Sequence, residues 1–325
     1  MKLLHSLIAA LLLLFPSTAW AQFEGPRVQW PLPQNTNVVG VTYVDADANA
    51  AFSVLNRVEP EVEIESGVFV LSYTRSQPFF DRTIHWQLQM PIGKLDTDSN
   101  LPIPATRSYR DGMGDLSFGA TVNLIGAPAL PVREALRYDL DLTVGLGLSV
   151  TAPTGTYDPN EALNLGSNQW SGRVSLPVVK SLGAWVPGKR TTFEVTPSMR
   201  FFGKNSNHLG ETIKQDPMFA LEAHVTRDIT KDAFVSLDYN LIEGGDQKFT
   251  DNTTGDLVEE RGGLGAQSLG ATFGYKVNDN LSLFVGHHQT IAESSNPFEL
   301  RGSVTMIRLT WGWHDVLQRR ADFLD

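Results

Sequence analysis

Hydrophobic and polar residues alternate with a period of two along most of the chain. From Tyr138 to Val150 the even positions are Tyr138, Leu140, Leu142, Val144, Leu146, Leu148 and Val150, and the odd ones are Asp139, Asp141, Thr143, Gly145, Gly147 and Ser149. Successive strand residues point to opposite faces, so this segment presents one apolar face and one polar or small face. Phe193, Val195, Pro197, Met199 and Phe201 alternate in the same way with Glu194, Thr196, Ser198, Arg200 and Phe202. Two more runs, Phe219 to Thr226 and Ala233 to Leu241, collect Glu222, His224, Asp238 and Asn240 on the polar side. The pattern predicts strands near 37–45, 62–75, 81–91, 113–124, 137–151, 170–181, 191–203, 217–228, 232–243, 265–277, 281–291 and 300–313. Long polar connections at 46–61, 92–112, 152–169, 204–216, 244–264 and 292–299 alternate with generally shorter ones such as 76–80, 229–231 and 278–280. Long loops at one end and short turns at the other are the asymmetry of a transmembrane β-barrel.

The fold expected over 37–313 is therefore all-β, a single antiparallel transmembrane barrel of about twelve strands with long extracellular loops and short periplasmic turns. An even strand number places both ends of the chain on the periplasmic side. A soluble β-sandwich also alternates, but its strands are usually ~5–6 residues long, about half the length expected here. Tyr73, Trp86, Trp170, Tyr239, Tyr275, Trp311 and Trp313 lie on apolar faces near strand ends, as an interfacial girdle requires. The second face carries too many charges for a core. Asp115, Asp139, Asp141, Arg173, Glu194, Arg200, Glu222, Asp238, Lys276 and Arg308 fall on polar parities, and facing lipid an Arg or Lys would cost ~2–4 kcal/mol at the midplane. With His224, Phe202 and Phe284 they are the expected lining of the lumen. Phe234 and Met306 are also apolar residues on the inward parity. The charges fit a pore lining and a salt-bridged filler equally well.

Outside the barrel, Met1–Ala21 carries one cation, Lys2, an apolar run from Leu7 to Phe15 and an Ala19-Trp20-Ala21 end, the layout of a cleaved secretory signal. The apolar run is too short to span ~30 Å of hydrocarbon as a helix. Residues 22–36, with Pro26, Pro31 and Pro33, read as an extended segment able to hang free or tuck into the lumen, and 314–325 as a periplasmic tail. The net charge of −10 becomes −11 once Lys2 is removed, which excludes the dense basic face a nucleic-acid partner needs. The absence of Cys excludes thiolate metal sites, thiol nucleophiles, disulfides and a lipidated N-terminal Cys.

Three short motifs fall at the strand junctions: Gly112-Met113-Gly114-Asp115-Leu116, Ala152-Pro153-Thr154-Gly155 and Asn164-Leu165-Gly166-Ser167-Asn168-Gln169-Trp170. Each also has a local reading in turn chemistry, with glycines turning the backbone and Pro153 ending a strand. Their order and spacing resemble the outer-membrane family named for the meta-pathway of phenol degradation, whose members are described as transporters. The resemblance spans about Asn37 to Trp313. It implies a bacterial outer-membrane barrel that passes aromatic or other hydrophobic small molecules. Lipids and lipopolysaccharide of that membrane, and the barrel-assembly machinery, are then the expected partners. Many such barrels end in an aromatic residue, whereas this chain runs on past Trp313, which leaves open the segment that serves as the assembly signal.

Local chemistry is sparse. His287 and His288 are adjacent on one strand and project to opposite faces, so they do not share a metal ion. His85, His224 and His288 can each face the lumen, and an acyl hydrolase would need one of them beside a Ser, yet no nucleophile-elbow sequence occurs. The acidic loop from Glu243 to Glu260 has Asp246, Asp251, Asp256 and Glu259, without EF-hand spacing. No nucleotide-binding loop is present, so movement through the barrel is passive. The expected function is a passive channel for small hydrophobic or aromatic molecules with no cofactor. A lipid-acting hydrolase and a structural or adhesive barrel are the alternatives.

Overall fold

The computed structural model describes residues 24–48, 50–51, 54–58, 64–97, 109–161, 163–292 and 302–315. The secretory signal expected at 1–21 and the tail beyond 315 lie outside these residues. Twelve barrel strands follow in order: β1 (Thr36–Ala48), β2 (Ile64–Phe79), β3 (Arg82–Thr97), β4 (Tyr109–Met113 with Leu116–Ile125), β5 (Leu142–Ala152) and β6 (Ser171–Ser175 with Val178–Ser181). They continue as β7 (Thr191–Phe202), β8 (Met218–Asp228), β9 (Ala233–Gly244), β10 (Leu264–Lys276), β11 (Leu281–Ala292) and β12 (Gly302–His314). Each pairs antiparallel with its chain neighbours. β1 pairs with β12 from Thr36↔His314 to Ala48↔Gly302, which closes the sheet. Closure leaves no unpaired edge, the condition for a sheet to stand in hydrocarbon. Most strands have 11–16 residues, enough to cross a bilayer at a tilt.

The two faces follow the expected parity. Phe193, Met199 and Phe201 of β7 are exposed on the outer wall, while Thr192, Glu194, Thr196 and Ser198 are buried inside. On β5, Leu148 is 56% exposed outside and Thr143 2% exposed inside. A continuous outward belt of Val, Leu and Phe would be untenable in water and is what lipid covers. Tyr73, Trp86, Tyr275, Trp311 and Trp313 keep the outward register near the short-turn end, and Trp170 lies at the long-loop end. Tyr239 differs from the girdle expectation: it sits mid-strand and donates to Gln267 at 3.0 Å.

Three local departures have physical causes. The fifth strand begins at Leu142 rather than 137, because a short helix α1 (Val132–Ala135) and a turn occupy the preceding residues. β6 is interrupted at Leu176-Pro177, where proline has no N–H for the ladder, although its carbonyl still accepts from Gly145 N at 2.8 Å. The connections 204–216 and 244–264 are not plain loops: Lys204–His208, Glu211–Gln215, Gln247–Asp251 and Leu257–Arg261 form a separate four-stranded sheet at the long-loop end. Its small core is the cross-strand pair Ile213↔Phe249, both buried, with Arg261 over the Phe249 ring at 4.9 Å.

Candidate functional site

Toward the long-loop end the inner wall is apolar, with Val44, Ala46, Met218, Ile242, Leu264, Ala266, Val304 and Met306 in one buried cluster and Phe202 packed against it. Toward the short-turn end it is polar. The segment before β1 occupies part of this polar half. It is held near the short-turn end by Asn35 N donating to Ser76 O at 3.0 Å and Gln34 N to Leu130 O at 2.9 Å. Further in, Trp30 Nε1 donates to Glu194 at 2.8 Å and Arg27 N to the same carboxylate at 2.9 Å. The Arg27 guanidinium pairs with Asp228 at 2.7 Å and lies 3.8 Å from the centre of the Phe234 ring. At the innermost described turn, Gly25 N and Glu24 N donate to Glu222 at 2.6 and 3.2 Å, and Glu24 accepts from Arg173 at 2.7 Å. Of the two conformations the sequence leaves open for this segment, the structure shows the one tucked into the lumen.

Glu222 belongs to a buried network in the wall. His224 sets Nε2 2.9 Å from Glu222 and Nδ1 2.6 Å from Asp238. Asp238 also accepts from Thr272 at 2.6 Å and from the Ser236 hydroxyl. His288 meets Asn240 at 3.2 Å through Nδ1 and lies 3.8 Å from Asp238 through Nε2. Each carboxylate and each of the two imidazoles in it has a partner, which is what makes a polar network tolerable in a dry wall, while the buried Asn240 Oδ1 accepts no hydrogen bond. None of His85, His224 and His288 has a serine hydroxyl on its ring among the described residues, so the Ser–His contact a hydrolase needs is not assembled by them. His287 takes the outward side, hydrogen-bonded to Thr305 at 3.0 Å, opposite to His288 as the sequence requires.

The three motifs meet at one point. Asp115 Oδ1 accepts from Gly155 N at 2.8 Å, and Oδ2 from Ser167 N at 2.8 Å and Ser167 Oγ at 2.5 Å. Gly155 and Gly166 pack backbone to backbone, and a Cβ on either would lie 2.7 Å from the other residue's main chain. Thr156 adds an N–H to Met113 O at 2.7 Å, and its hydroxyl accepts from Met113 N at 3.0 Å. The 152–170 loop is thereby folded onto the barrel mouth. Beyond it, the Tyr157 hydroxyl donates to Asn207 O at 2.8 Å and accepts from Asn205 at 2.9 Å, and burial pushes its phenol up from the usual range.

Between this clasp and the N-terminal segment lies a cavity of about 420 Å³. Its wall includes Val44, Val70, Phe202, Phe284 and Met306 beside Asp115, Arg173, Arg200, Arg308, Gln87 and Gln89, with Glu24 and Arg27 contributed by the segment. A family model described as "Putative MetA-pathway of phenol degradation" matches residues 44–306. The chain belongs to this family. The matched span contains all three motifs and most of the cavity wall. Among solved structures, the COG4313 outer membrane channel from Pseudomonas putida F1 has a TM-score of 0.69 at 17% identity, covering 89% of this chain and 100% of that one. The β domain of the Bordetella autotransporter BrkA has a TM-score of 0.46 at 8% identity, covering 86% and 100%. The Pseudomonas putida toluene transporter TodX has 0.43 at 11% identity, covering 91% and 94%. No curated protein matches the sequence.

In this member of the phenol-degradation family, the residues expected to line the lumen separate into three groups. Asp115, Arg173, Arg200, Phe202, Phe284 and Arg308 border the cavity. Glu194, Glu222, His224 and Asp238 are buried on the inner face, where they anchor the segment or build the network. Asp139, Asp141 and Lys276 are corrections to the sequence reading. Both aspartates precede β5 and are exposed, Asp141 pairing with Lys180, and Lys276 reaches Asp279 at 2.7 Å in the β10–β11 turn. Parity assigns a face only while the strand lasts, and all three lie where it starts or stops. Sequence reasoning did not single out Glu24, Arg27 or Trp30. Their signal is a short stretch with both charge signs and a Trp directly before the first strand.

Proposed function

We propose that this chain is a bacterial outer-membrane channel for passive passage of small hydrophobic or aromatic molecules. The observation that carries the reading is the mid-barrel cavity, where Phe202, Phe284 and Met306 offer apolar surface beside the charged side chains of Asp115, Arg173, Arg200 and Arg308. Twelve strands enclose more than the side-chain-filled interior of eight and less than the aqueous channel of sixteen, so a solute must touch the wall as it passes. A mixed apolar and polar wall gives a hydrophobic solute places to rest while charges exclude indiscriminate leakage. Family membership and the barrel shared with an outer membrane channel support the same reading.

In this reading residues 1–21 are a secretory signal removed on export, and the N-terminal segment, the short turns and the tail face the periplasm. Lipids and lipopolysaccharide cover the outer wall, and the barrel-assembly machinery inserts it. The protein works as a channel without a catalytic step. The test is reconstitution in vesicles: a small aromatic molecule should cross faster than a sugar of similar size, and Phe202→Ala with Phe284→Ala should lower that preference. An unchanged preference in the double variant would remove the cavity from the path.

A further inference from the structure

We propose that the cavity contains a carboxylate-binding subsite centred on Arg200, so that the preferred solutes are small hydrophobic acids in their anionic form. This rests on the channel reading and names the substrate class. Arg200 stands directly opposite Arg173 in the β6–β7 ladder, with both side chains on the inner face. Like charges facing each other across a ladder repel unless an anion lies between or beside them. Arg173 has its anion in Glu24 at 2.7 Å. Arg308 donates to the Glu24 carbonyl at 2.7 Å and to Thr42 at 3.1 Å. Arg200 has no hydrogen-bond or ion-pair partner among the described residues, although its side chain borders the cavity. The cavity's own carboxylates do not serve it: Asp115 holds three donors, and Glu24 is shared between Arg173 and Gln29.

A cation withdrawn from bulk water without a partner is costly, and a guanidinium presents a planar fork that matches a carboxylate. The surroundings supply the remainder of an amphipathic ligand's contacts. Phe202 follows Arg200 on the same face of β7, Met306 precedes Arg308 on the same face of β12, and Phe284 lies opposite Arg308 across the ladder. Residues two apart on one strand are ~7 Å apart, which sets a cationic and an apolar contact at the spacing of a carboxylate and its aromatic body.

The probes are benzoate and benzamide, which share shape and differ in charge. Equilibrium dialysis of the labelled compounds with the detergent-solubilised protein should show tighter binding of benzoate. Arg200→Gln should lower the benzoate-to-benzamide affinity ratio about tenfold, as loss of a charge-assisted pair implies, and Arg200→Lys should lower it less. Heat-modifiable migration confirms that each variant is folded. Should Arg200→Gln fail to fold, the wild-type ratio and the Arg200→Lys ratio decide. Equal affinity for the two compounds in the wild type, or an unchanged ratio in Arg200→Gln, would overturn the subsite. Vesicle flux separates the two readings. Benzoate binding without flux of either compound supports the subsite and overturns the channel, whereas equal flux and equal binding of both compounds overturns the subsite and leaves the channel standing.

Discussion

Replacing Asp115 by alanine removes the acceptor of three hydrogen bonds at once and leaves two half-buried backbone donors, Gly155 N and Ser167 N, without it. Hydrogen bonds to a charged group are worth ~1.5–3 kcal/mol each, so a loss of about 3 kcal/mol is expected, concentrated in the 152–170 loop. Limited proteolysis should cut Asp115→Ala in that loop while sparing the wild type; equal resistance would show that the clasp does not hold it. Two inward glycines work in the opposite sense, by leaving room. A Cβ on Gly274 would fall inside the Phe234 ring, and one on Gly270 inside His288. At this scale the sequence told which face a residue takes and little about its partner. Asp115 was legible as inward by parity, but its role depends on two loops ~40 and ~50 residues away in the chain, which no local pattern encodes.

The strand wall itself was legible because lipid imposes a strict apolar rule on one face and closure imposes pairing on every strand. Register follows from it and can be tested on one strand. Leu148→Arg should destabilise the barrel by ~2–4 kcal/mol, since the charge meets lipid, whereas Ser149→Arg, which borders the cavity, should assemble nearly as well as the wild type. The midpoint of heat-modifiable migration reads the difference, and equal midpoints would show the faces to be reversed. The four-stranded sheet at the long-loop end escaped the pattern for a physical reason. Its strands are five residues long, and its buried apolar pair amounts to Ile213 and Phe249. Two hydrophobes in a polar stretch do not make a period.

For the whole molecule, the N-terminal segment is docked inside the lumen and lines part of the cavity. Glu194 and Glu222 take its backbone N–H groups, Arg173 and Arg308 hold Glu24, and Asp228 holds Arg27. The prolines predict an extended stretch, but residues 26–30 turn, with Arg27 at a φ of 65° and Trp30 N donating to Arg27 O at 3.3 Å, because the carboxylates of the inner wall draw in its N–H groups. Deleting residues 24–34 should raise single-channel conductance severalfold in a planar bilayer while heat-modifiable migration is retained; unchanged conductance would mean that the segment does not obstruct the path. Most direct of all is the initial rate at which a small aromatic molecule crosses vesicles carrying the intact mature chain, set against a sugar of similar size and against protein-free vesicles. A passive channel with a mixed apolar lumen gives an aromatic rate above both controls and saturating at high solute; rates equal to those of protein-free vesicles for every solute class would contradict it.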